Sequence, residues 1–326
     1  MLTAEVTKTR RRVLQGIAAT PLALGLRAHA QTSRPIRLVA PFSAGGPTDS
    51  VARTIAASMA NELGQPVIVE NKAGANGVIA AEHVANSAPD GHTLLYHTSA
   101  FTTGAALAKH LPYDPINDFA FVGMTTSVPL VLLVHPNSPA RTPAEFAAHL
   151  KANPGKLTYG AVLQSIVHVA PEQMFHALGA KAVAVPYKGT APALTDLIGQ
   201  QIDFAFDAIN SALPFVQGGR LRAIGIASLQ RVKVLPDVPT FAETILPGFE
   251  AGTWGGVMAP ARTPPDTVTR LNRALLATLA VPAFRDQLEK QGLRIVGGSP
   301  AEFRAFVADE IARWKKVAST TRFTTD

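Results

Sequence analysis

The sequence predicts an α/β protein of two interleaved domains, each built around a mostly parallel sheet. Three observations carry that reading. The chain has 326 residues, 47% of them hydrophobic and 16% charged, enough for a substantial core and longer than one ordinary domain. From Pro35 onward, short β-branched apolar runs alternate with Ala-rich amphipathic stretches, the pattern of βαβ units. Nine such runs are present, more than one ordinary sheet holds.

At the amino terminus Arg10, Arg11 and Arg12 precede an apolar run from Val13 to Leu26 that closes with Ala28-His29-Ala30, the layout of a signal peptide over residues 1–30. The run contains Gln15 and Pro21 and is shorter than the roughly 20 apolar residues that span a bilayer, so no retained anchor is expected. Thr9 to Gln15 is Tat-like, and a Sec signal also opens with basic residues; both routes lead out of the cytoplasm, to the periplasm. Removing the five Lys/Arg and one Glu of this segment leaves 25 basic against 22 acidic residues, a net of +3. So mild a balance carries no nucleic-acid footprint. With no cysteine there are no disulfides, thiolate metal sites, cysteine nucleophiles or lipid-modified cysteine, and no direct membrane anchoring is expected.

The strands are expected at Ile36–Ala40, Val67–Glu70, Thr93–Tyr96, Leu130–Val134, Leu157–Tyr159, Ala182–Val185, Ile202–Phe206, Ala223–Ala227 and Gly255–Met258. A helix opens at Asp49, places Val51, Ile55, Met59 and Leu63 on one face, and closes at Gly64. Thr142-Pro143-Ala144-Glu145 and Ser299-Pro300-Ala301-Glu302 are capping boxes with proline at the first helical position. The last helix turns Phe303, Phe306, Ile311 and Trp314 toward a core. No repeat or low-complexity linker separates the domains. Pro-rich crossings at Pro136–Pro139 and from Pro247 to Trp254 suit two hinge strands dividing 35–133 plus 254–326 from 134–253.

Catalytic patterns are missing. There is no P-loop, no G-x-G-x-x-G and no S-x-x-K, and around Ser43 a nucleophile elbow would need glycine where Pro41 stands. His168, Glu172 and His176 stack at four-residue spacing without a second ligand cluster, which reads as a solvated helix face and not a metal site. No cofactor or metal is expected, and no catalytic residue. The competing class is an exported hydrolase using Ser43 or His168.

The informative segment is Pro41-Phe42-Ser43-Ala44-Gly45-Gly46-Pro47-Thr48-Asp49, between the first strand and the first long helix. Its glycines permit a tight turn, and the free N–H groups of the helix's first turn make a seat for an anion, with Thr48 adding a hydroxyl. A Gly-rich turn that binds nothing has the same spacing.

Further blocks decide between them: Pro35 to Val39, Phe42 to Asp49, Gly64 to Lys72 with Gly74, Ala88 to Leu95, Leu111 to Pro115, Pro154 to Leu157, Val185 to Gly189, Pro192 to Leu197, Leu235 to Thr240, Leu246 to Glu250 and Trp254-Gly255. Together they resemble the Bug-type periplasmic solute-binding proteins of tripartite tricarboxylate transport systems, over nearly the whole mature chain. The resemblance implies a two-domain type II periplasmic-binding (Venus flytrap) fold with two hinge strands, a small organic carboxylate as ligand, and as partner the membrane permease of a carboxylate transporter or a sensor kinase. It implies that Phe42, Ala44, Gly45, Thr48 and Asp49 grip one carboxylate through backbone and water, with Thr98 and Ser99 facing the same cleft.

From the second domain the family brings a G-x-G-S loop before a histidine. Here Ser165 and His168 remain, but Val162, Leu163 and Ile166 replace small residues. Either they favour a ligand with an apolar or aromatic body, or the second-domain contacts are rearranged, or they face the core. Asp207 matches a cleft-facing Asp of the family, with capping of a helix near Asn210 as its structural alternative. Lys188 is either a carboxylate partner or a solvated lysine.

Overall fold

The computed structural model describes residues 34–320; the expected signal peptide lies outside them. In chain order the elements are β1 (Ile36–Ala40), α1 (Pro47–Leu63), β2 (Val67–Asn71), a 3-10 turn (Ala75–Gly77), α2 (Val78–Ala85), β3 (Thr93–Thr98), α3 (Ala100–Leu107) and β4 (Phe119–Val134). There follow α4 (Pro143–Ala152), β5 (Thr158–Ala161), α5 (Ile166–Leu178), β6 (Val183–Pro186), α6 (Thr190–Ile198), β7 (Phe204–Ala208), α7 (Ile209–Gln217) and β8 (Arg222–Ile226). The chain closes with β9 (Gly252–Pro260), α8 (Pro265–Ala280), α9 (Pro282–Glu289), β10 (Arg294–Ile295) and α10 (Pro300–Thr320).

The expectation that the pairing is mostly parallel is corrected: the strands form a mixed, connected path, β2-β1-β3-β9-β4-β7-β5-β6, with β8 and β10 also on β4. Among the described strands the parallel ladders are β1 with β2 and β3, and β5 with β6 and β7, where a helix supplies each crossover. Every pair made by β4 is antiparallel. The sequence placed only Leu130–Val134 in that strand, because Gly123 and Pro129 argue against a strand upstream of it. Pro129 is accommodated where β9 begins: it faces Gly252, and the ladder passes on through Leu130 N–H to the Ala251 carbonyl at 3.0 Å. Register shifts at Phe121/Gly123 and Met124/Thr126 are bulges that curl the sheet.

Local signals held where the chemistry is local. Thr142 Oγ1 accepts the Glu145 N–H at 3.2 Å, and Ser299 and Glu302 cap each other reciprocally, with Glu302 N–H on Ser299 Oγ at 3.2 Å and Ser299 N–H on Glu302 Oε2 at 2.7 Å. On α1, Val51, Ile55 and Met59 are buried, and Gly64 ends the helix at φ +65°.

Two apolar clusters share α10. Phe303, Val307 and Ile311 pack with Val39, Leu95 and Trp254, whereas Trp314 and Val317 pack with Leu132, Phe175 and Phe204. Gly256 of β9 lets the tip of the Phe303 ring approach the strand closely, since a Cβ there would collide with it. A Gly256→Val variant is therefore expected to lose about 2–4 kcal/mol of stability in a denaturant melt. From Arg34 onward the chain clusters as one compact unit.

Candidate functional site

The registers place two strand edges opposite each other. Thr98, the end of β3, pairs with Gly255 of β9, and Gly255 pairs with Thr126 of β4. Ala208, the end of β7, pairs with Leu130 of the same strand from the opposite direction. β3 runs along β4 toward residue 126 and β7 runs against it toward residue 130, so the two carboxyl edges converge on a segment only about 13 Å long at ~3.3 Å per residue. Ligand sites in α/β sheets form outside such edges. At one edge stand the turn after β1, Thr98 and Ser99; at the other stand Ser165, His168 and Asp207.

In the first turn Gly45 adopts φ +83°, and Gly46 is an N-cap with no side chain to offer. Pro47 has no N–H, and the Ser50 N–H bonds the Gly46 carbonyl at 3.0 Å. The Thr48 and Asp49 N–H groups are left without a partner among the described residues, at the positive end of a 17-residue helix. The Asp49 carboxylate, 4% exposed, braces the turn from beneath: it accepts Gly45 N–H and Arg53 Nε at 2.9 Å and Asn71 Nδ2 at 2.8 Å. The Arg53 guanidinium foremost, then the Gly45 and Asn71 donors, hold its pKa at about 2. Asn71 Nδ2 also donates to the Phe42 carbonyl at 2.9 Å. Asp49 and the Gly45 N–H are thus spent on protein partners. Phe42 and Thr48 are half-buried, and Ala44 and Gly45 are exposed.

Beside this turn, Ser99 Oγ donates to Thr253 Oγ1 at 3.0 Å, tying the end of β3 to β9. His97 is buried with its ring 6.5 Å from Phe42 and 5.3 Å from Phe101, and Gly77 has room for no side chain against it. Burial lowers its pKa to about 4, so the ring is a neutral prop. Arg53, Asn71 and His97 were not singled out from sequence; only Arg53, four residues after Asp49 on a helix, left a readable spacing.

At the second edge Gln164 adopts φ +63°, and the loop sends its apolar residues both ways. Ile166 is 7% exposed and packs in the core with Val162, whereas Leu163 stands 42% exposed. Ser165 is the N-cap of α5, its Oγ donating to the Val162 carbonyl at 2.6 Å. The reading of His168, Glu172 and His176 as a solvated face is corrected: only His176 is exposed. His168 is buried, which lowers its pKa, and Glu172 accepts the Tyr159 hydroxyl at 2.7 Å because that helix face packs on β5. Among the described residues no cluster is arranged to hold a metal ion.

Asp207 is 3% exposed. Its Oδ1 accepts the Ala208 N–H at 2.8 Å, and its Oδ2 is buried with no hydrogen-bond partner among the described residues. Ala208 occupies the N-cap position of α7, and no side chain caps that helix. Burial raises the Asp207 pKa to about 6, opposed by the nearby Ser211 hydroxyl, the Ala208 N–H and the Thr190 hydroxyl. With the folded pKa above the unfolded one, its contribution to stability is complete below about pH 4 and is lost as pH rises through 6. An Asp207→Asn variant is accordingly expected to be more stable than the parent at pH 8, by about 2 kcal/mol, and to lose that advantage at pH 4, as read by urea unfolding at both pH values.

None of the ten residues proposed from sequence lines a separate cavity of about 430 Å³, which is bounded by Pro129, Leu229, Arg231, Glu250, Glu289 and Arg294. Lys188 is exposed.

A family model for the tripartite tricarboxylate transporter family receptor, TctC, matches residues 51–322. The protein BugT of Bordetella pertussis is 37% identical over 308 residues, covering 94% of each chain. Among solved structures, MatC (Rpa3494) of Rhodopseudomonas palustris with bound malate is 37% identical, covers 87% of this chain and 99% of its own, and superposes with a TM-score of 0.77. Rpa4515 of R. palustris with adipate is 35% identical, covers 89% and 97%, and reaches 0.81. The chain belongs to the TctC family of tripartite tricarboxylate transporter receptors and is a solute-binding protein of the Bug type, not an enzyme.

Proposed function

We propose that this protein captures a small organic carboxylate in the periplasm and delivers it to the membrane permease of a tripartite tricarboxylate transporter. The observation that carries the reading is the pair of free N–H groups, Thr48 and Asp49, at the start of α1, on an edge that converges with a second one over Thr126–Leu130. One carboxylate docks on those donors and the Thr48 hydroxyl, within the turn formed by Phe42, Ala44 and Gly45 and beside Thr98 and Ser99. Ser165, His168 and Asp207 approach from the other side. The lobes, 35–133 plus 254–326 and 134–253, close by rotation about β4 and β9 and bury the ligand. The bound malate and adipate of the two relatives support the ligand class.

The outward Leu163 favours an acid with an apolar body. In a thermal-shift screen of citrate, malate, adipate and terephthalate, the acids with a hydrocarbon body are expected to raise Tm by about 5 °C or more at 100 times Kd, with the acid recovered unchanged. No stabilisation by any of them, or appearance of a product, overturns the reading; preference for citrate and malate overturns the role of Leu163.

A further inference from the structure

We propose that Asp207 selects the far end of the ligand: the captured acid must present a hydrogen-bond donor there, and a dicarboxylate supplies that donor by binding together with one proton. This rests on the carboxylate-capture reading and deepens it.

The geometry is that of a carboxyl desolvated in advance of binding. Asp207 is the penultimate residue of β7, and by alternation it shares the face of Ala205, which packs against α6 and α7 and not against α5. Three protein donors surround it: the Ala208 N–H, bonded to Oδ1 at 2.8 Å, and the Thr190 and Ser211 hydroxyls, neither of which forms a bond to Oδ2. A buried carboxylate oxygen with no donor is costly, and structures rarely retain one without use. What Oδ2 lacks is one donor, at the carboxyl end of the strand.

Among the described residues no formal charge is positioned to take that place. Helix α7 has no ionisable residue between Ile209 and Gln217; on α6 Asp196 is occupied by the Tyr187 hydroxyl at 2.7 Å. On β4 the facing residue is Val131, and Tyr159 of β5 is occupied by Glu172. His168 and Glu172 of α5 lie beyond the opposite face with Phe204 and Phe206, and Lys188 is exposed. No charged neighbour figures among the causes of the Asp207 shift.

The first carboxylate of the ligand sits on α1. A second carboxylate reaching Asp207 meets a like charge unless one proton is shared between the two, as in a carboxylate pair. A carboxyl whose pKa already lies at about 6 takes that proton readily near neutral pH. A ligand with a hydroxyl at that end donates to the ionised carboxylate and needs no proton.

The test is titration calorimetry on the full mature protein, between pH 6 and 8, in two buffers of different ionisation enthalpy. The probes are the α,ω-dicarboxylates from succinate to suberate, and the ω-hydroxy monocarboxylate matched in length to the best of them. Affinity for the dicarboxylate is expected to fall about tenfold per pH unit above pH 6, with about one proton taken up per ligand bound, while the hydroxy acid binds with neither dependence. Asp207→Asn is expected to bind the dicarboxylate with no pH dependence over the same range. Dicarboxylate binding by the parent protein that is independent of pH and without proton uptake overturns the role of Asp207 and leaves carboxylate capture standing. Failure of every acid in the series to bind at any pH overturns both.

Discussion

Replacing Trp314 by alanine is expected to cost about 3–5 kcal/mol of unfolding free energy, the largest single effect on stability anticipated here. Trp314 is 1% exposed and belongs to the cluster of Phe175 and Phe204, although the first half of its helix packs on the other cluster. Its Nε1–H donates to Glu310 Oε2 at 2.9 Å, and the Arg313 guanidinium lies 4.6 Å over its ring. Arg313 in turn donates to Gln173 of α5 and to the Glu250 carbonyl. Burial already raises the Glu310 pKa, so truncation leaves a void and a buried carboxyl short of its indole donor. Phe306→Ala, at a half-buried position of the same helix, serves as the comparison and is expected to cost less than half as much. Equal losses in denaturant melts of the two variants would mean that α10 is not pinned at Trp314.

Asp49→Ala is expected to weaken carboxylate binding about 100-fold or more, close to 2.7 kcal/mol, although the Asp49 side chain is spent on protein partners. Its carboxylate holds Gly45, Arg53 and Asn71 together, and Asn71 holds the Phe42 carbonyl. Without it three donors lose their acceptor, and the turn that presents the Thr48 and Asp49 N–H groups is no longer held in place. Asn at this position keeps the shape and loses the charge facing Arg53, so a smaller loss is expected. The folded pKa of about 2 lies below the unfolded one, so the stabilisation is fully present above about pH 4 and is lost as pH falls through 2. Binding loss at pH 5 therefore has another cause. Calorimetry of the two variants at pH 7 checks the order; unchanged affinity in Asp49→Ala would remove the brace from the mechanism.

The sequence was readable where structure is made by neighbours in the chain. Capping boxes at Thr142 and Ser299, the buried face of α1 and the glycine turn before it depend on contacts within a few residues. What escaped depends on partners far along the chain. The first half of β4 carries Gly123 and Pro129 and becomes a strand only because β9 lies beside it, and β10 has two residues whose pairing with Thr126 and Ser127 leaves no periodicity. Within the site, Arg53 was within reach of an i,i+4 reading, whereas Asn71 meets Asp49 from the neighbouring strand. The fates of Leu163 and Ile166, one outward and one inward, turn on the left-handed backbone of Gln164, a conformation that the residue type does not announce.

The most direct measurement is a crystal structure with whichever acid gives the largest thermal shift. The predicted result is a ligand carboxylate within hydrogen-bond distance of the main-chain N–H of Thr48 or Asp49, with the body of the acid between the ends of β3 and β7. An acid bound instead in the cavity between Pro129, Leu229 and Arg294, with the turn at Gly45–Asp49 making no contact to it, would contradict the proposed site.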